Sequence, residues 1–307
     1  MDISYELYKV FYCVASTLSF SEASRQLFIS QSAVSQSVKT LEQKLGQQLF
    51  IRSTKKVKLT AEGELLFRHI EPAIHMIRNG EAQLTQKDSS GGLLRIGASD
   101  TICRYFLVPY LNRFHREFPD AHIRVMNQTS LGCIDLLESG QVDFVVVNAP
   151  NSRLKKNVYT SQVLREFQDI FVANRTHFPL ENQELSLRDL TEYPLLMLER
   201  NSTTSEFLHQ IFEKQNLHLS PEVELNSNDL LIDLAGIGLG IASVPDFMLS
   251  NAPKELFVLK LKDKLPKRQL VLVHNEQLPA SDAAENFMRY FSSKDEEPLS
   301  SRSLHPH

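Results

Sequence analysis

The sequence predicts a helix that is capped by the side chain of Ser30 and ended by Gly46 in the left-handed conformation, with short hydroxyl and amide side chains on one side. On the opposite side Val34, Val38, Leu41 and Leu45 recur at helical spacing and can pack against the rest of a small domain. Side chains of the polar kind reach base edges and phosphates when a helix lies in the major groove of DNA. The candidate DNA contacts of this helix are Ser30, Gln31, Ser32, Ser35, Gln36 and Lys39.

A polar helix face on its own is most often simply solvated, so the neighbouring elements decide between the two interpretations. A shorter helix over residues 21–27, capped by Ser21 and burying Ala23, precedes the polar helix across a tight turn. A first helix over residues 4–17 would pack behind both. Two helices joined in this way are typical of a helix-turn-helix.

Two short β-type runs, residues 49–51 and 57–59, follow the helices. The cations between the two runs predict a hairpin with a basic tip. Such a tip can contact phosphates or the minor groove, which adds salt-dependent affinity more than sequence preference, although many basic turns are only solvated. The candidate contacts of this predicted wing are Arg52, Lys55 and Lys56.

The charge of the chain is unevenly distributed. Its 307 residues include 33 Lys and Arg against 37 Asp and Glu, and a net charge of −4 argues by itself against a nucleic-acid partner. Residues 1–60 nevertheless carry eight Lys and Arg against four Asp and Glu, whereas residues 88–307 carry 22 basic against 29 acidic side chains. The basic character is therefore confined to the N-terminal module, and we expect the remainder to stay off the DNA.

The stretch FSEASRQLFISQSAVSQSVKTLEQKLGQQLFIRSTKKVKLTAEG resembles the winged helix-turn-helix of LysR-type transcriptional regulators almost position for position. The resemblance implies a multi-domain chain that joins an all-α/winged helix-turn-helix domain to an α/β, periplasmic-binding-protein-like effector domain of two Rossmann-like lobes. The implied segments are the DNA-binding domain 1–60, the linker and dimerisation helix 61–87, the hinge 88–92, the effector domain 93–292 (lobe I 93–163 and 268–292, lobe II 164–267) and a disordered tail 293–307.

A long helix begins after its cap at Thr60 and runs to about residue 86, with Pro72 inside it and an apolar stripe along one side. A helix of this length with one apolar side needs a partner. The partner is either the same helix of a second chain or the effector domain of its own chain. The family resemblance implies pairing between chains, and so a homodimer or homotetramer that binds double-stranded promoter or operator DNA, with RNA polymerase as a further partner.

Beyond residue 93, strands and helices alternate, as in an α/β domain. Ligands of such folds bind beyond the carboxyl ends of strands, near helix N-termini that favour anions. Hydroxyl and amide side chains in four such loops would suit a carboxylate or another small polar metabolite, although each is also an ordinary helix cap. Asp100 would repel an anion and indicates an amine-bearing or neutral effector instead. The candidate effector contacts are Ser99, Asp100, Thr101, Cys103, Thr129, Ser130, Ser202, Thr203 and Asn228.

The three cysteines suggest one alternative regulator. Cys103 and Cys133 fall near predicted helix N-termini, where a thiolate would be stabilised, so either could sense an oxidant or electrophile. Packing without reactivity is the competing interpretation for both, and we expect Cys13 to be packed in the first helix.

Other classes of protein find little support in the sequence. The chain has no nucleophile elbow and no metal-binding motif, so we expect no enzyme, cofactor or metal site. It has no apolar run of 18 residues and no basic, apolar leader, so we expect a cytoplasmic protein without a membrane span. A ligand-binding assembly module that does not bind DNA is the remaining alternative, and the basic wing argues against it.

Overall fold

The computed structural model describes residues 2–52, 56–85, 92–154, 159–276 and 280–292. The chain forms two compact units. The first comprises Met1–Gln86 with Glu138–Gln141, and the second comprises Lys87–Leu137 with Val142–His307. The predicted tail over residues 293–307 and the predicted hinge up to residue 91 lie outside the described residues. None of the described helices is both long and apolar enough to span a bilayer.

The first unit contains four helices and one hairpin among its described residues. These elements are α1 (Tyr5–Thr17), α2 (Phe20–Leu27), α3 (Gln31–Leu45), β1 (Phe50–Arg52), β2 (Val57–Leu59) and α4 (Ala61–Thr85). The predicted apolar side of α3 is confirmed, because Val34, Val38 and Leu41 are completely buried and Leu45 is half-buried against the same core. They share a core with Phe11 of α1 and Phe50 of β1, so the outer side of α3 is left to its polar residues.

Serine hydroxyls determine where the helices of the first unit begin. Ser30 Oγ accepts from Ala33 N at 3.2 Å and caps α3, and Gly46 ends this helix in the left-handed region at φ 68°, both as predicted. The predicted cap of α2 at Ser21 is wrong. Ser19 has the extended backbone that a cap requires, and its Oγ accepts from Glu22 N at 3.2 Å. The helix therefore starts at Phe20, which is buried in the same core.

The hairpin is held to α3 by one carboxylate. Oε1 of Glu42 accepts from the backbone N–H groups of Leu49 at 2.8 Å and of Phe50 at 3.3 Å. Thr60 Oγ1 then donates to the Gln48 carbonyl oxygen at 2.7 Å and accepts from the amide of Gly63 at 2.9 Å, which confirms Thr60 as the cap of α4. The end of α3, the hairpin and the start of α4 are thus fixed to one another.

The described residues of the second unit form two five-stranded sheets with helices on both faces, and one two-stranded sheet. Its strands are β3 (Leu93–Ala98), β4 (His122–Asn127), β5 (Phe144–Ala149), β6 (Thr160–Phe167), β7 (Asp169–Asn174), β8 (Glu184–Leu185), β9 (Leu195–Leu198), β10 (Val223–Leu225), β11 (Ile241–Pro245), β12 (Leu256–Val258), β13 (Lys260–Leu261) and β14 (Arg268–His274). Its helices are α5 (Asp100–Ile102), α6 (Val108–Glu117), α7 (Ser130–Glu138), α8 (Leu187–Leu190), α9 (Thr203–Lys214), α10 (Asn228–Gly236) and α11 (Asp282–Met288). A π-helical turn, Cys103–Leu107, joins α5 to α6.

Each five-stranded sheet combines parallel strands with antiparallel strands at one side, and β8 and β13 form the two-stranded sheet. The first has the order β4-β3-β5-β14-β6 and the second β10-β9-β11-β7-β12. In the first sheet β3 runs parallel to β4 and β5, while β14 runs antiparallel to β5 and β6. Buried clusters lie on both faces of each sheet, which is the arrangement expected of two Rossmann-like lobes.

The chain crosses between the lobes at two places, and one of them differs from the prediction. The predicted boundary between residues 163 and 164 falls inside β6, which pairs with β14 along its length and keeps the chain in lobe I up to Phe167. Gln168 is the only residue between β6 and β7. Its Nε2 donates to the Leu265 carbonyl oxygen at 2.8 Å, next to the return crossing that leads into β14.

We predict that Gly63→Ala destabilises the first unit by roughly 1–3 kcal/mol. A Cβ at this position would fall inside contact distance of the Leu49 carbonyl oxygen, a backbone atom that cannot rotate away. Gly80→Ala is the matched control on α4, because a Cβ there would meet no atom within 4 Å, and removing a helical glycine stabilises by up to about 1 kcal/mol. Urea denaturation measures both free energies of unfolding, and equal values would contradict the prediction.

Candidate nucleic-acid interface and ligand cavity

The polar residues predicted on α3 form one solvent-accessible surface. Ser35 is half-buried, and the other predicted contacts on α3 and at its cap are exposed: Ser30, Gln31, Ser32, Gln36 and Lys39. Ser30 Oγ lies 2.9 Å from Ser32 Oγ. This surface begins at the N-terminal end of the helix, the end that approaches base edges when such a helix lies in the major groove.

The predicted wing is only partly described. β1 and β2 pair antiparallel, with Phe50 opposite Leu59 and Arg52 opposite Val57. Lys56 is exposed at the start of β2. Lys55 and the side chain of Arg52 lie outside the described residues, so their predicted contacts stay predictions.

A cavity of about 360 Å³ lies between the two lobes of the second unit. It opens beyond the carboxyl ends of strands from both sheets, where the sequence predicted it. Eight of the nine predicted effector contacts line it: Ser99, Asp100, Thr101, Thr129, Ser130, Ser202, Thr203 and Asn228. The volume lies within the range of small-molecule sites.

Cys103 does not line the cavity. The predicted loop after β3 is helical from Asp100 onward, because Ser99 Oγ caps it by accepting from Ile102 N at 3.4 Å. The helical turn directs Cys103 into the core of lobe I, beside Ile102 and Phe106. Its assignment as an effector contact is therefore wrong.

Ten other residues line the cavity but were missing from the nine predicted contacts. Five of them lie beside predicted contacts in the same four loops: Ile102, Gln128, Thr204, Asn226 and Ser227. The other five lie at or near the ends of β4, β5, β9 and β11: Asn127, Asn148, Leu198, Pro245 and Phe247. Ligands bind beyond strand ends, and these last five residues lie at or near the strand ends themselves. Including the last residues of each strand with the loop that follows would have predicted them.

Hydroxyl side chains at the cavity cap the helices around it. Oγ1 of Thr129 accepts from Gly132 N at 3.2 Å, Oγ of Ser202 from Ser205 N at 3.1 Å and Oγ of Ser227 from Leu230 N at 3.3 Å. The capping and the ligand-binding interpretations of these residues are therefore compatible. Each hydroxyl uses its oxygen as an acceptor and keeps its hydrogen for a further acceptor.

The remaining hydroxyls also accept from protein donors. Thr101 Oγ1 accepts from Asn228 Nδ2 at 3.0 Å, and Ser130 Oγ accepts from Asn148 N at 3.1 Å. The first of these bonds joins lobe I to lobe II across the cavity. A wall of such hydroxyls and of helix N-termini offers mainly hydrogen-bond donors to whatever occupies it.

A buried ion pair lies behind the Thr203 and Thr204 side of the cavity. Arg268 Nη1 donates to Asp169 Oδ2 and to Thr204 Oγ1, both at 2.8 Å, and Nη2 donates to Thr203 Oγ1 at 3.2 Å. Neither charged side chain is exposed. Burial raises the pKa of Asp169 above its usual range, and the positive charge of Arg268 acts in the opposite direction. Arg268 was not predicted as part of this site, because no local sequence pattern identifies its partners.

The lobes make further polar contacts near the cavity. Tyr105, in the π-helical turn of lobe I, donates to Asp229 Oδ1 in lobe II at 2.6 Å, and Arg104 forms an ion pair with the same carboxylate at 3.2 Å. Burial and the bond to Asp229 raise the pKa of Tyr105 to about 12. Tyr105 therefore keeps its proton at neutral pH and can donate it to Asp229.

The cysteines are not activated. Burial raises the pKa of Cys103 to about 11, with a smaller effect from Asp100. Burial also raises the pKa of Cys133 to about 12 and that of the buried Cys13. Burial therefore acts against the thiolate stabilisation that was expected at Cys103 and Cys133, because it penalises the charged form of the side chain.

Among the described residues, no group of three or more His, Cys, Asp and Glu side chains is arranged to hold a metal ion. The single charged side chain in the cavity lining is that of Asp100. The chemistry of the cavity thus consists of hydroxyls, amides and helix termini, together with the apolar surface of Leu198 and Phe247.

Two family models match the chain. The model for bacterial regulatory helix-turn-helix proteins of the lysR family matches residues 5–64, and the LysR substrate binding domain matches residues 87–295. A curated relative, the HTH-type transcriptional regulator TtuA of Agrobacterium vitis, is 29% identical over 244 residues, which cover 78% of this chain and 79% of the relative.

Two solved structures are similar in fold. A full-length OxyR variant from Pseudomonas aeruginosa has a TM-score of 0.68 at 19% identity, with 97% of this chain and 100% of that chain covered. The CcmR regulatory domain of Synechocystis PCC6803, in complex with 2-PG, has a TM-score of 0.60 at 20% identity, with 66% of this chain and 98% of that chain covered. At these identities the similarity shows the fold alone.

We predict that Cys103 and Cys133 react slowly with iodoacetamide at pH 7.5, at less than about a tenth of the rate in the urea-unfolded protein. Raised pKa values leave little of each side chain as the reactive thiolate. The rate at Cys103 should climb as the pH rises toward 11. Peptide mass spectrometry after timed alkylation measures each site, and equal rates in native and unfolded protein would restore the redox alternative.

Proposed function

The chain belongs to the LysR family of DNA-binding transcriptional regulators, and we propose that it reads duplex DNA with the polar surface of α3 while a small molecule in its inter-lobe cavity sets the outcome. The observation that carries the first half is the division of α3 into a buried apolar side and an exposed side of Ser, Gln and Lys. The second half rests on the cavity at the strand ends.

The residues of α3 have separable roles. Gln36 is exposed, and its amide can pair with the N6 and N7 edge of adenine, a contact that discriminates between bases. Lys39 lies three residues further along and can neutralise a phosphate, which adds salt-dependent affinity without sequence choice. The predicted wing would add contacts of the second kind through Arg52, Lys55 and Lys56.

The long helix α4 supplies the surface for pairing with a second copy. Leu66 and Ile70 pack against the core of their own domain, whereas Leu65, Ile77 and Leu84 are exposed. Pairing two copies along these exposed residues would bury apolar surface that otherwise faces water. A two-fold assembly also presents two copies of α3 to half-sites about 34–36 Å apart. We expect a homodimer or homotetramer.

The cavity accepts a small anionic effector, and the simplest anionic group for this effector is a carboxylate. The wall hydroxyls already accept from protein donors and so keep their hydrogens for the ligand. The N-termini of α7, α9 and α10 add positive potential. That the similar regulatory domain of CcmR was solved in complex with 2-PG supports a ligand in this fold.

An effector changes transcription only if it binds one arrangement of the protein more tightly than another. The contacts between the lobes are suited to this, because Asn228 and Thr101 bridge the lobes at the cavity itself and Tyr105 bridges them near it. A ligand that replaces or tightens these bonds would alter the angle between the lobes. Contact with RNA polymerase stays a prediction of the family resemblance.

We predict different losses of DNA affinity for Lys39→Ala and Gln36→Ala. Lys39→Ala should weaken binding to specific and random duplexes alike and reduce the slope of log affinity against log salt by about 0.9. Gln36→Ala should cost roughly 1–3 kcal/mol on the specific duplex and much less on random DNA. Fluorescence anisotropy at several salt concentrations measures both effects.

The matched controls for these two variants are Lys214→Ala and Gln210→Ala, which change exposed residues of α9 in the second unit and should leave DNA affinity unchanged. Equal losses on specific and random DNA for Gln36→Ala would show that Gln36 does not read bases. If both α3 variants bound DNA with wild-type affinity, α3 would not be the surface that contacts DNA.

A further inference from the structure

Two buried acceptors at the cavity have no donor among the described residues. Asn228, at the start of α10, is only 7% exposed, and its Nδ2 donates to Thr101 while its Oδ1 is unpartnered. Across the cavity, Oδ1 of Asn148 in β5 is buried and unpartnered as well. One acceptor comes from each lobe.

Leaving a buried acceptor without a donor costs roughly 1–3 kcal/mol. Most buried polar groups in folded proteins have a partner for this reason. Both oxygens are covered by the protein, so a rotation of the Asn228 side chain is needed to turn its amide oxygen toward a hydrogen-bond donor on the ligand. A ligand with a carboxylate alone has no such donor. The cavity therefore favours a ligand that carries a hydrogen-bond donor as well as the acceptor that pairs with the wall hydroxyls.

The charges at the cavity limit how negative the ligand can be. No Lys or Arg belongs to its lining, and Asp100 contributes a negative charge. Arg268 is already paired with Asp169 behind the wall. A second negative charge on the ligand would be desolvated without a cation beside it, which is costly.

We propose that the effector is a monocarboxylic acid that also carries an ammonium or a hydroxyl group, so an amino acid or a hydroxy acid. Its carboxylate accepts from the hydroxyls and helix N-termini of α7 and α9, and its donor group reaches Oδ1 of Asn228. This inference rests on the proposed effector site and narrows the chemistry of its ligand.

Calorimetric titration of the full-length protein with matched acids of three to six carbons tests the proposal. Each series contains the unsubstituted acid, its hydroxy and amino derivatives, the dicarboxylate and the alcohol without a carboxylate. On the best carbon skeleton, the hydroxy or amino acid should bind at least about tenfold tighter than the unsubstituted acid. Comparing the hydroxy acid with the amino acid shows whether the donor group of the ligand is O–H or N–H.

Asn228→Leu should abolish this preference, so that the substituted and the unsubstituted acid bind equally. Asn112→Leu, an exposed position on α6 outside the cavity, is the control and should keep the wild-type ratio. The ratio of the two affinities, substituted over unsubstituted acid, separates the two possible effects of Asn228→Leu. Loss of the donor contact lowers the ratio, whereas a general loosening of the cavity weakens the binding of both acids equally.

Tighter binding of the unsubstituted acid or of the dicarboxylate would overturn the proposal, and so would the absence of binding by every acid. The proposed function would still stand if a compound of another class, such as the alcohol or a phosphate ester, bound the cavity and altered the complex with DNA. It would fail if ligands bound there left that complex unchanged.

A second, independent observation concerns Phe28, in the turn between α2 and α3. Its side chain is 95% exposed, and its backbone is in the left-handed region at φ 55°, where it ends α2. The left-handed conformation costs a bulky residue roughly 1–2 kcal/mol. Exposing an aromatic ring forgoes the gain from burying it. Strain of this kind is concentrated at functional sites.

Phe28 lies two residues before Ser30, the cap of α3, and so at the end of the helix that enters the groove. The neighbouring Ile29 is 40% exposed. These apolar side chains are continuous with the polar surface of α3. We infer that duplex DNA covers Phe28, whose ring packs against a thymine methyl group or a deoxyribose at the edge of the reading surface.

Phe28→Asn separates this role from stability, because asparagine adopts the left-handed conformation readily, as Asn216 does here at φ 56°. The variant should unfold at the same or a higher temperature and bind specific DNA five- to tenfold more weakly. Phe28→Tyr should retain most of the affinity. Leu18→Asn is the matched control, since Leu18 ends α1 at φ 48° with 47% exposure and should leave affinity unchanged.

Wild-type DNA affinity for Phe28→Asn would overturn the inference. A loss of affinity accompanied by an equal loss in the Leu18→Asn control would also overturn it, because the effect would then belong to the fold. A change in oligomeric mass with unchanged DNA affinity would assign the ring to a second copy of the chain instead.

Discussion

The ion pair between Arg268 and Asp169 is the interaction on which the effector half of the molecule depends. Arg268 begins β14 in the first sheet, Asp169 begins β7 in the second, and the same guanidinium donates to Thr203 and Thr204 at the start of α9. Both chain crossings and one wall of the cavity therefore meet at a single buried cation. Two buried charges are tolerable only when they are paired and hydrogen-bonded, so this arrangement resists any change that would separate the crossings from the wall.

The cavity combines structural and binding roles in the same side chains. The Ser202 hydroxyl caps α9, and the Thr101 hydroxyl accepts from Asn228 of the opposite lobe. Each oxygen thus fixes part of the fold, and each hydroxyl hydrogen remains for a ligand. In the first unit, Glu42 plays a comparable part by tying Leu49 and Phe50, at the start of the hairpin, to α3.

Much of this organisation follows from local sequence patterns. The buried side of α3, its caps at Ser30 and Gly46, and the loops around the cavity obey helical periodicity and the strand-end rule. Contacts between residues that are distant in sequence were not predicted. Nothing in the sequence around Arg268 indicates that it pairs with Asp169. The lobe boundary was placed four residues too early, inside β6, because β6 is an edge strand with mostly polar, exposed residues. Cys103 was misassigned because one turn of helix, begun at Ser99, directs it into the core.

The most direct test of the account is a DNase I footprint of the full-length protein over the region upstream of its own gene, with and without a ligand shown by calorimetry to bind the cavity. We expect protection of a site with approximate two-fold symmetry, as pairing of two α3 helices requires. We expect the extent of protection or the pattern of enhanced cleavage to change at ligand concentrations near the dissociation constant. An identical footprint at saturating ligand would contradict the coupling of cavity to DNA, and the absence of protection would contradict the assignment of the reading surface.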